Sequence, residues 1–90
     1  PNSPEVVNNL GAVYWKLGEK KNALASFEKA ILMRPNYAIA RFNVAEAIAD
    51  DNPRRAITEY ETYLALVEGI LEETDRAALA QKRVQALKHQ

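Results

Sequence analysis

Val7-Asn8-Asn9-Leu10-Gly11-Ala12-Val13-Tyr14, followed by Ala23-Leu24-Ala25-Ser26-Phe27 and then by Ala30 and Pro35, decides the fold of this 90-residue chain. A weaker copy follows, with Arg41, Val44, Ala45 and Ile48 ahead of Ala56-Ile57-Thr58-Glu59-Tyr60. Leu10 and Val44 stand 34 residues apart (44 − 10). A fixed interval of this size marks stacked structural repeats, each a helical unit that cannot bury its apolar face alone.

Around these copies the sequence reads as helix throughout. Only 3 Gly and 4 Pro interrupt a composition rich in Ala, Leu, Glu and Lys. Ser3 can cap a first helix that starts at Pro4, with Glu5 in the first turn. Its apolar stripe would be Val7, Leu10, Gly11, Tyr14 and Leu17, and Gly18 should end it. A second helix is predicted from about Lys20 to Arg34, burying Ala23, Leu24, Phe27, Ala30 and Ile31 before Pro35 stops it. Tyr37 to about Ala49 forms the third, with Val44, Ala45 and Ile48 inward. Asn52 and Pro53 suit the N-cap and first turn of a fourth, running to about Val67 with Ala56, Ile57, Tyr60, Tyr63 and Leu64 inward. A fifth follows Thr74, with Ala77, Ala80, Val84 and Leu87 inward and Arg76, Lys82, Arg83 and Lys88 outside. The sequence leaves open whether the fourth and fifth helices separate around Gly69–Glu73.

Small residues beside large ones give the pattern a mechanical sense. Gly11, Ala23 and Ala30 would let two helices approach closely, while Tyr14 and Phe27 fill the remaining space. Ala45, Ala56 and Tyr60 repeat the arrangement.

This pattern resembles the tetratricopeptide repeat, whose signature runs W-x2-L-G-x2-Y, A-x3-F, P. Every slot of the first copy is filled except the Trp, replaced here by Val7. The resemblance implies an all-α fold, an α-solenoid segment of two helix hairpins plus a C-terminal capping helix. It also implies a single domain over 1–90, with repeat one at about 4–37, repeat two at about 38–70 and the cap at about 74–88. The second copy departs from the pattern at Ile48, at the shorter interval to Ala56, at Tyr63 in place of the small Ala30, and at Glu68 near the expected Pro. Such departures suit a terminal repeat. Pro1-Asn2-Ser3 parallels Pro35-Asn36-Tyr37 and suggests the tail of a preceding repeat, so the expectation is the C-terminal end of a longer array.

In proteins of this family the first helix of each hairpin lines a groove that receives an extended peptide or a partner helix. Carried onto this chain, the resemblance nominates Glu5, Asn8, Asn9, Ala12, Trp15 and Lys16 from repeat one. Repeat two would contribute Ile39, Phe42, Asn43, Glu46, Ala49 and Asp50. Asn9 and Asn43 hold equivalent slots, where family members use Asn to grip a ligand backbone. Trp15 and Phe42 are the apolar anchor candidates, with packing between repeats as the competing role for each. Co-chaperone relatives hold a C-terminal carboxylate with Lys and Asn. Here Asn8 and Ala12 occupy two of those slots, and Glu46 and Asp50 would repel an acidic tail.

The remaining composition narrows the function. The chain carries 12 basic and 12 acidic residues, with no block dense enough to neutralise phosphates, so nucleic acid is not an expected partner. No apolar run is long enough to span a bilayer, so membrane insertion is not expected. Without cysteine there is neither a disulfide nor a thiolate metal site. The lone His89 stands one residue from the end, Glu72-Glu73-Thr74-Asp75 lacks calcium-loop spacing, and no phosphate-binding glycine loop exists. These features point away from an enzyme, a cofactor or a metal. The expected function is a protein–protein interaction scaffold with a protein or peptide partner. Self-association through an exposed first helix, or a docking or regulatory appendage of a larger enzyme, are the alternatives.

Overall fold

A computed structural model describes residues 3–90 and consists of five α-helices and one 3-10 turn. The first two members of the Pro1-Asn2-Ser3 parallel lie outside the described residues. α1 spans Pro4–Lys16 and α2 spans Lys20–Met33; α3 spans Ala38–Ile48 and α4 spans Pro53–Leu66. The 3-10 turn Leu71–Glu73 then leads into α5, Thr74–Lys88. Among the described residues there is no β-strand.

Local chemistry sets each boundary. The Ser3 hydroxyl accepts the Val6 amide at 3.1 Å, and Asn52 Oδ1 accepts the Arg55 amide at 3.2 Å. Both caps are followed by a proline, whose missing amide proton costs nothing in a first turn. Gly18 and Gly69 both adopt φ of 79°, a left-handed turn that glycine enters without strain, and each closes the chain after a helix. Gly69 therefore resolves the junction the sequence left open: α4 and α5 are separate helices.

The helices stack in series, α1 on α2, α2 on α3, α3 on α4 and α4 on α5. Ala23, Ala30, Ala40, Val44, Ala45, Ala56, Tyr60, Tyr63 and Ala80 have no solvent exposure. At Gly11 a β-carbon would fall 2.6 Å from the Phe27 ring and 3.2 Å from the Ala23 carbonyl. α1 and α2 thus touch where only a hydrogen fits, and the Phe27 ring covers the gap.

Within the apolar stripe of α1, Leu10 and Leu17 are exposed. Val44, the counterpart of Leu10 in the second hairpin, lies under α2, whereas no described element lies over the same side of α1. Spacing by three or four residues identifies an apolar face, but burial also requires a neighbour.

Polar links tie the stack along one side. Arg55 on α4 holds Glu28 of α2 through two bonds of 2.5 and 3.1 Å, and the buried Glu59 carboxylate accepts from Arg41 at 3.0 Å. The Glu28 carboxylate raises the Arg55 pKa further above its ordinary value. Among the described residues no buried side-chain polar atom lacks a hydrogen-bond partner.

Candidate partner-binding face

α1, α3 and α5 present one common face. Two adjoining depressions lie on it, sharing Trp15 and Glu46. The smaller, about 110 Å³, is lined by Ala12, Trp15, Lys16, Phe27, Asn43 and Glu46. The larger, about 300 Å³, runs from Trp15 and Lys20 past Glu46, Ala49, Asp50 and Tyr60 to Arg83, Ala86 and Leu87. Ala12, Trp15, Lys16, Asn43, Glu46, Ala49 and Asp50 are therefore brought together from the sequence-nominated set.

Trp15 projects from the last turn of α1 and remains accessible, with the Lys20 ammonium 5.5 Å from its ring centroid. That cation shields one approach to the indole at modest energetic gain. Asn43 donates its side-chain amide to Asn8 Oδ1 at 3.0 Å and still reaches the smaller depression. Lys16 and Asp50 stand exposed at either side.

Other nominated residues are placed elsewhere. Asn8 is buried between α1 and α3, its oxygen committed to Asn43, so it joins the hairpins and offers nothing to a ligand. Phe42 is also buried. Its ring meets Tyr60 and Tyr63 edge-on, with centroids 5.7 and 5.2 Å apart, and the Arg76 guanidinium lies 5.8 Å from it. Phe42 is a core aromatic, and its helical position one residue before Asn43 turns it towards α4 and α5. Ile39 is half-buried against the core, and Asn9 is exposed but lines neither depression. Glu5 is committed to Arg34 at 2.5 Å, and that bond lowers the Glu5 pKa.

The electrostatics of Glu46 also differ from the expectation. Its carboxylate accepts the Tyr60 hydroxyl and, at 3.0 Å, Arg83 Nε of α5. Glu46 is thus a neutralised bridge rather than a free repulsive charge. Burial, reinforced by Glu46, pushes the Tyr60 hydroxyl far above its ordinary pKa, so it stays a proton donor. A second triad closes the far end of α5. The Tyr63 hydroxyl donates to Glu73 at 2.6 Å and Arg76 holds the same carboxylate at 2.9 Å. The Tyr63 hydrogen bond first, then Arg76, lowers the Glu73 pKa.

Lys20, Phe27 and Tyr60, and Arg83, Ala86 and Leu87 of α5, are the face residues that sequence reasoning missed. Arg83 reads as a solvent-facing charge on an amphipathic helix, because nothing in its own helix signals a carboxylate 37 residues earlier. The uncommon signal available was Tyr60, a buried phenol that needs an acceptor.

A search of curated proteins finds no match to the chain. The family model described as tetratricopeptide repeat matches residues 4–37. That span holds α1, α2 and the turn into α3, including the Gly11–Phe27 contact described above. Repeats of this family generally mediate protein–protein interaction and are typically non-catalytic. Residues 4–37 of this all-α protein are a tetratricopeptide repeat.

Proposed function

We propose that the face shared by α1, α3 and α5 binds an extended segment or a helix of a partner protein. The observation that carries this reading is the accessible Trp15, set at the junction of two depressions with Asn43 and Lys16 on one side and Asp50 and Arg83 on the other. Apolar surface supplied by Trp15, Ala49 and Leu87 would provide the driving force, and the surrounding polar groups would fix direction and register. Asn43 keeps hydrogen-bonding capacity after its bond to Asn8, enough to meet a ligand amide. Asn9 belongs to this reading only if the ligand extends past the smaller depression.

Panning a random-peptide display library on the chain tests the proposal. Selected peptides should bind the wild-type protein and lose at least about tenfold in affinity against Trp15→Ala, as expected for a central aromatic anchor. Peptides that bind Trp15→Ala unchanged, with that variant still folded, would exclude this face.

A further inference from the structure

The opposite ends of the stack carry complementary bare surfaces. On α1 and its C-cap, Val6, Leu10, Val13 and Leu17 follow one another at intervals of four, three and four, the spacing of a helix-packing seam, and all four are exposed. Beside them a groove of about 210 Å³ is lined by Val6, Val7, Leu10, Ala25, Ser26 and Lys29. The repeat relation identifies what this seam is built to meet. Ala40 and Val44, each 34 residues after Val6 and Leu10, are fully buried where α3 packs on α2.

At the other end, α4, the 3-10 turn and α5 surround a larger apolar groove of about 610 Å³. Leu64, Val67, Ile70, Leu71 and Ala77 line it, with Leu71 83% exposed. Charge separates the two ends. Lys29 lines the first groove and Lys21 lies one turn from Ala25, and among the described residues neither has a carboxylate partner. Glu68 lines the second groove, Glu72 and Asp75 flank it, and among the described residues none of the three has a cationic partner.

We propose that the bare α1–α2 face of one copy receives the α4–α5 end of a second copy, head to tail. Apolar contact supplies the attraction, and the lysine and carboxylate rims select this orientation over face-to-face pairing of like ends. The contact is heterologous, so it does not close at two copies and continues into rings or filaments. It leaves the Trp15 face free.

Two variants test this by complementation. Leu10→Gln with Val13→Gln blocks the first end, and Ile70→Gln with Leu71→Gln blocks the second. All four positions are exposed, and circular dichroism checks that each variant folds. Light scattering of the wild-type chain from micromolar to millimolar concentration should show mass rising beyond two copies. Each variant alone should lose this association, and an equimolar mixture should form a one-to-one dimer through the intact ends. A wild-type chain that stays monomeric throughout would overturn the proposal. Persistent association of the Ile70/Leu71 variant alone would overturn it in favour of α1 pairing with α1. Failure of two folded variants to form a mixed dimer would also overturn it.

Discussion

Asn43 of α3 donates its side-chain amide to the buried Asn8 of α1 across 3.0 Å, joining the two hairpins directly beneath the candidate binding face. This bond separates two residues that look equivalent from a distance. Asn43 supports the fold and borders the depression, whereas Asn9 only meets solvent.

Removing Asn43 should therefore be expensive. Asn43→Ala leaves Asn8 Oδ1 buried without a donor and should cost about 1–3 kcal/mol. Asn9→Ala, at an exposed site, should stay within about 0.5 kcal/mol of wild type. Urea unfolding followed by circular dichroism measures both. A double variant of the two asparagines would mix a stability defect with any binding defect, so binding must be compared on folded material.

Gly11→Ala places a methyl group against the Phe27 ring, 2.6 Å from its nearest atoms. Overpacking should cost roughly 1–3 kcal/mol, against a helix-propensity gain of about 1 kcal/mol from replacing glycine. The expected net change is destabilising. Adding Phe27→Leu to Gly11→Ala should recover part of that loss, and a thermal melt of the three variants checks it. Full stability of Gly11→Ala alone would mean the helices do not touch there.

Phe42 and Trp15 should respond in opposite ways. Phe42→Ala empties a site among Tyr60, Tyr63 and Arg76 and should cost about 3–5 kcal/mol. Trp15→Ala, at an accessible site, should cost about 1 kcal/mol or less while weakening peptide capture. Denaturation and peptide titration on the same two variants separate the roles.

The sequence made the helices legible because their ends carry chemistry: Ser3, Asn52 and the two left-handed glycines each act locally. It could not rank Leu10 against Val44, which occupy equivalent slots, because burial depends on what lies over the helix. Nor could it distinguish Phe42 from Trp15. Both are aromatic residues on first helices of a hairpin, but Phe42 holds the slot of the buried Asn8, whereas Trp15 sits in the last turn of α1. The polar triads were hidden for a different reason. Tyr60–Glu46–Arg83 and Tyr63–Glu73–Arg76 join residues from separate elements, and periodicity carries no information about such pairings.

Those triads set the pH dependence. Glu73 has a lowered pKa in the fold, so its stabilisation is present above about pH 4.3, the unfolded value, and is lost as pH falls through the folded one. Tyr60 and Tyr63 are raised by burial, so their contribution is intact below about pH 10 and lost as pH rises towards the folded values. While the unfolded phenol is ionised and the folded one is not, each should reduce stability by about 1.4 kcal/mol per pH unit. Tyr63→Phe should remove one alkaline step and shrink the acid loss, since Tyr63 is the largest cause of the Glu73 shift. Urea unfolding at acid, neutral and alkaline pH reads both slopes.

Amide chemical-shift mapping during titration with a display-selected peptide tests the binding face most directly. Shifts should concentrate at Ala12, Trp15, Lys16, Asn43 and Asp50, with the Trp15 indole moving most. Shifts confined to Val6, Leu10 and Leu17, or to Ile70 and Leu71, would contradict that assignment and place the partner on an end of the stack.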